Sequence, residues 1–131
     1  MSLGDSATPI GKVRALGSAR RGGQEWYADK VESAALVMLS VWLVASLLLL
    51  PDFDRATMVQ WLRAPSGAVP MALFVILSFH HALHGMKMVL DDYIHEEANN
   101  FFLNALMLFV AVGGAAWALF ALARIAFGGQ A

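Results

Sequence analysis

Between His81 and His95 the chain reads HALHGMKMVLDDYIH, with histidines at 81, 84 and 95 in an apolar run that closes on Asp91-Asp92-Tyr93. An imidazole can ligate a metal or carry a proton, and a phenol beside a carboxylate can donate to a carbonyl oxygen. Ionisable groups inside an apolar segment are costly to bury and mark function when they occur there. The chemistry of this protein is therefore sought first in this stretch.

If the stretch is helical, successive residues are separated by about 100° around the axis. Relative to His81, the offsets come to roughly 60° for His84, 40° for Gly85 and 20° for both Met88 and Asp92, while His80 stands about 100° away. One face thus carries His81, His84, Gly85, Met88 and Asp92. Asp92 and Tyr93 lie roughly 16 Å further along the axis than His81.

The elements that must hold this face are legible in the composition. Of 131 residues, 59% are hydrophobic and 15% charged, and the mean hydropathy is +0.61, outside the usual balance of a soluble domain. Ser33 to Pro51, Ala64 to Met86 and Ala98 to Ala123 contain no Asp, Glu, Lys or Arg. Each approaches the roughly 20 apolar residues needed to cross a bilayer. The expected fold is an all-α, multi-pass membrane protein: a cytoplasmic N-terminal arm over 1–23, then a three-helix anchor over 24–131 with transmembrane helices near 31–51, 67–90 and 100–124.

Lys12, Arg14, Arg20, Arg21 and Lys30 precede the first span, whereas the next loop holds Arg55 and Arg63. The positive-inside rule then puts the N-terminus in the cytoplasm, or in the matrix of a mitochondrion, and the C-terminus on the other side. Tyr93 and Asp92 accordingly reach the inner surface. The first span lies too far from the N-terminus for the apolar part of a cleaved signal peptide, so it is expected to remain. With no cysteine, disulfides, thiolate metal sites and iron–sulfur ligation by this chain are excluded. A net charge of -1 gives no reason to expect nucleic acid. Pro51, Asp52 and Asp54 are expected to stop the first helix, Pro65 and Pro70 to bracket the start of the second, and Asn99 or Asn100 to cap the third. Gly113, Gly114, Ala115 and Ala116 suit close helix packing.

Two readings of His81 and Gly85 stand at this point. The imidazole could supply an axial nitrogen to haem iron while the missing side chain at Gly85 admits the porphyrin edge. Alternatively, the histidine could bond a neighbouring backbone and the glycine serve helix packing alone. No other span contains a histidine, so a second axial ligand is expected from another chain, although Met38 and Met107 could ligate in principle. Asp92 and Tyr93 suit donation to a quinone carbonyl, or else an interfacial aromatic with a solvated carboxylate beside it.

The HxxxG spacing from His81 to Gly85, followed by Asp91-Asp92-Tyr93-Ile94-His95, resembles the signature of the succinate dehydrogenase hydrophobic membrane anchor family. Gly11-Lys12-Val13-Arg14-Ala15-Leu16-Gly17-Ser18-Ala19 is similar to the G-[RK]-V-R-G-L-G-S-A of its alphaproteobacterial members. The resemblance implies a subunit of respiratory complex II in a bacterial or mitochondrial inner membrane, alongside a flavoprotein, an iron–sulfur subunit and a cytochrome b556 subunit. It implies that His81 is an axial ligand of haem b, with the other ligand on the cytochrome b556 subunit. Asp92 and Tyr93 would belong to the ubiquinone site, and Lys30 would approach the haem propionates. Succinate oxidation itself would fall to the soluble partners, leaving this chain an electron-transfer role.

Asp29-Lys30-Val31-Glu32-Ser33 departs from the family's usual Gln-Arg-Val-Thr-Ala, so a lysine point charge stands where arginine offers a fork. His84 is additional and could meet the haem edge, a propionate or neither. Lys87 is expected to pair with Asp91 four residues on. Two other classes fit the residues: a subunit of another quinone-reactive cytochrome b, and a small proton-coupled transporter using His80, His81, His84 and Asp92 as a relay.

Overall fold

A computed structural model describes residues 22–128, all of whose regular structure is helical. The arm expected over 1–23 lies almost wholly outside these residues. Among the described residues four helices follow one another: α1 (Gly22–Leu48), α2 (Arg55–Arg63), α3 (Pro65–Tyr93) and α4 (Glu97–Ala126). Among the described residues, α1, α3 and α4 are long and apolar enough to cross a membrane, as the three uncharged stretches require. α3 and α4 extend past both expected ends and α1 begins well before its expected start, because a helix does not end where hydrocarbon does, whereas α1 stops at Leu48, short of the expected 51. Polar residues of α1 such as Asp29 and Lys30 continue the same backbone ladder into the interface.

The connection between α1 and α3 holds a helix that hydropathy did not signal. Asp54 caps α2, its Oδ1 accepting from the Thr57 backbone N–H at 2.7 Å. That bond holds the Asp54 carboxyl below the usual carboxylate range. Ala64 closes α2 and opens α3 at once, with Pro65 at the first helical position, where a missing N–H costs least. Pro70 lies inside α3 rather than before it. Glu96 stands at the N-cap of α4 without a side-chain cap bond, so Asn99 and Asn100 fall in the first turn of α4 instead of capping it.

From Glu32 onward, α1 reaches its neighbours through long side chains: Trp42 stacks on Trp61 of α2 with ring centroids 5.8 Å apart and planes at 22°. α3 packs along α4, and α2 touches both. Arg63 Nε donates to the Ile125 carbonyl at 3.3 Å, tying α2 to the carbonyl end of α4. Leu122 is the only buried large apolar residue among those described. Helices that expose apolar surface to hydrocarbon gain no hydrophobic drive to associate, so close approach falls to small residues. Two glycines supply it. A Cβ at Gly67 would meet the Trp61 carbonyl oxygen at 2.2 Å, and one at Gly114 would meet the Phe79 ring at 2.6 Å. Of the small-residue patch, Gly114 therefore makes the packed contact, whereas a Cβ at Gly113 meets nothing within 4 Å.

Gly67→Ala should destabilise the fold by roughly 1–3 kcal/mol, since a backbone oxygen cannot swing aside as a side chain can. Gly113→Ala should be close to neutral by comparison. Thermal unfolding in detergent, read by loss of helical circular dichroism, checks the pair, and equal midpoints would contradict the packing described.

Candidate functional site

α3 carries His80, His81, His84, Gly85, Met88, Asp91, Asp92 and Tyr93 on one continuous helix, with Ile94 as its C-cap. The structure divides these into two sets. His80 turns to α1, where its Nδ1 lies 2.9 and 3.0 Å from the two carboxylate oxygens of Glu32. A carboxylate only accepts, so Nδ1 carries the hydrogen of this bond. The Glu32 side chain is 11% exposed and that of His80 63%. The His84 ring stacks against His80 with centroids 6.2 Å apart.

At the far end of the helix, Asp91 is the centre of a second polar cluster. Its Oδ2 accepts from Lys87 Nζ at 2.5 Å, the expected pair one turn apart. Its Oδ1 accepts from Asn100 Nδ2 at 3.1 Å and Asn104 Nδ2 at 3.2 Å, both on α4. Asn100 Nδ2 also donates to the Ile94 carbonyl at 3.1 Å, and Asn104 Nδ2 to Asn100 Oδ1 at 2.8 Å. Asn99 bonds Glu96 within the turn. This cluster closes the α3–α4 hairpin, and His95 lines the same open recess as Lys87 and Asn100.

The second set faces outward. His81, Gly85, Met88, Asp92 and Tyr93 are all exposed, Met88 at 60% and Tyr93 at 80%, while His84, also exposed, stays with His80 through its ring stack. Among the described residues, His81, Asp92 and Tyr93 make no hydrogen bond or ion pair, and no bond joins the Tyr93 hydroxyl to its neighbour's carboxylate. A Cβ at Gly85 would meet nothing within 4 Å, so packing inside this chain does not explain that glycine. Lys30, on the N-terminal part of α1, holds its Nζ 5.8 Å from the centroid of the Trp26 ring. Sequence reasoning brought His81, His84, Gly85, Met88 and Asp92 to one face, though the His84 ring stacks on His80, and it missed Glu32 as the partner of His80 and Asn104 as a partner of Asp91. Each pairs across helices, and no spacing within one helix reveals which residue will stand opposite.

Three apolar helices, one of them exposing histidine, glycine, aspartate and tyrosine side by side, define a helical multi-pass membrane protein. The chain belongs to the succinate dehydrogenase/fumarate reductase transmembrane subunit family, which matches residues 5–121. It is similar to succinate dehydrogenase hydrophobic membrane anchor subunits. That of Rickettsia bellii is 32% identical over 69% of this chain and 72% of its own length. That of Rickettsia conorii is 31% identical over 82% and 87%, and that of Paracoccus denitrificans 29% over 92% and 93%. No solved structure matches the chain.

Asp91→Leu should loosen the α3–α4 hairpin, because it strips acceptors from Lys87, Asn100 and Asn104 together, whereas Asp92→Leu should not. Hydrogen exchange of the Ile94–Asn104 amides compares them. Faster exchange in the Asp92 variant alone would contradict the assignment.

Proposed function

We propose that the chain is the membrane anchor subunit of a succinate:ubiquinone oxidoreductase, supplying one axial ligand to a haem b and part of the site where ubiquinone is reduced. The observation that carries this reading is the division of α3. The helix satisfies His80 and Asp91 within the chain while presenting His81, open space at Gly85, and Asp92 with Tyr93 at its end.

The residues fit a haem. His81 offers an imidazole that no described neighbour engages, and Gly85, one turn on, removes the side chain that would crowd a flat ring. No other span contains a histidine, and by resemblance to the family this chain would give one ligand, with the other on the cytochrome b556 subunit. Bound there, haem b would supply a one-electron carrier within the membrane. His84 flanks that face, and Lys30 is assigned to the propionates by resemblance to the family.

Ubiquinone becomes ubiquinol by taking up two electrons and two protons. The electrons would come from the flavoprotein through the iron–sulfur subunit. The Tyr93 hydroxyl donates to a quinone carbonyl oxygen, stabilising the negative charge that builds there as electrons arrive. Asp92 polarises the neighbouring Tyr93 and relays protons from water at the membrane edge to the reduced quinone, which takes up two to become ubiquinol.

Tyr93→Phe keeps the ring and deletes the hydroxyl. Ubiquinone reduction should fall about ten- to a hundredfold. Succinate oxidation with an artificial acceptor that draws electrons from the soluble subunits should hold near wild type. Normal quinone reduction in the assembled complex would reduce Tyr93 to an interfacial anchor.

The orientation that brings Tyr93 to the inner surface follows from the basic residues before α1. A reporter fused after Ala131 should therefore be active only on the outer side of the membrane. Activity on the inner side would reverse the topology.

A further inference from the structure

The Glu32–His80 pair is not needed by any step above, yet it joins two membrane-spanning helices one residue before the proposed iron ligand. Both oxygens of Glu32 lie within 3.0 Å of the same imidazole nitrogen. A directional bond of this kind is strong where water is scarce and fixes the azimuth of the ring that makes it. Apolar contacts on a lipid-facing helix resist rotation far less, because lipid tails substitute readily for side chains. Elsewhere along α3, the Phe79 ring seats on Gly114 and Asp91, about three turns on from His80, bonds Asn100 and Asn104. α3 is thus gripped by α4 at two levels and pinned to α1 at His80.

The rotation about its own axis is the motion that matters for His81. A turn of about 20° moves a side-chain atom at the helix's outer radius of roughly 5–6 Å by about 2 Å. Metal–ligand distances tolerate only about 0.2 Å. We infer that Glu32 is a positioning residue for the haem ligand: by holding His80 against α1, it fixes the rotation of α3 that presents His81 to the iron. The inference rests on the reading of His81 as an axial ligand. His84, stacked on His80, extends the pinned stripe by one turn.

The test uses the purified four-subunit complex. Glu32→Leu should shift the low-spin haem signal in electron paramagnetic resonance and speed haem transfer to apomyoglobin by about tenfold, the lower end of what loss of an outer-shell partner costs. Glu32→Gln, whose amide oxygen still accepts from Nδ1–H, should stay close to wild type. A pair that merely stabilised the bundle would lower the melting temperature and leave the haem signal alone, and that result overturns the inference. Equal perturbation by Gln and Leu overturns it too. Should Glu32→Leu fail to assemble, His80→Phe deletes the same bond at a largely exposed ring, and a wild-type haem signal there is decisive against it. His81→Leu runs alongside. An unperturbed haem in that variant rejects the ligand reading itself, whereas its loss beside a wild-type Glu32→Leu complex rejects the positioning role alone.

Discussion

A polar side chain surrounded by hydrocarbon must find a partner, and this requirement organises the whole chain. Ser40 on α1 meets it locally, its hydroxyl donating to the Leu36 carbonyl at 2.7 Å. His80 meets it across helices through Glu32, and at the membrane edge Asp91 is held by Lys87, Asn100 and Asn104. These bonds set how α3 stands between its neighbours. They also leave the adjoining residues pointing elsewhere: His81 is one step around the helix from His80, and Asp92 one step from Asp91. The outward face is the complement of the inward one.

The same constraint explains how so little buried surface is compatible with a defined arrangement. Large apolar side chains such as Val41, Phe109, Trp117 and Phe120 are exposed along the spans, as suits contact with lipid tails or with apolar faces of other membrane chains. Specific contacts are few and local: Gly67 against the Trp61 carbonyl, Gly114 under the Phe79 ring, Trp61 on Trp42, Arg63 at the end of α4. Each fixes one crossing or one end, and together they hold α2, α3 and α4 without a large core.

Much of this was legible in the sequence because bilayer thickness and helix geometry are stringent. The three uncharged stretches became the three long helices, and the offset of His81, Gly85, Met88 and Asp92 put them on one exposed face. Lys87 and Asp91 paired because both partners belong to one helix. What escaped depended on packing or on local capping. α2 is a nine-residue helix, too short for hydropathy to separate from a loop, though Asp54 three residues before Thr57 was an available cap signal. Glu32 looked like a mere departure from the family pattern until His80, 48 positions away, stood opposite it. Asn100 looked like a cap because an asparagine near a helix start commonly is one. Here it bonds back across the hairpin to Asp91 and the Ile94 carbonyl.

The central claim is that α3 presents His81 to haem iron at one level and Tyr93 to a quinone near its end. The most direct measurement is an electron cryo-microscopy map of the intact complex in a lipid nanodisc, at a resolution that shows side chains. The account requires continuous density between the His81 imidazole and the iron, the macrocycle edge over Gly85, and His80 turned to Glu32. A haem ligated by His80 or His84, or a His81 facing lipid while the iron takes both ligands from other chains, would contradict it.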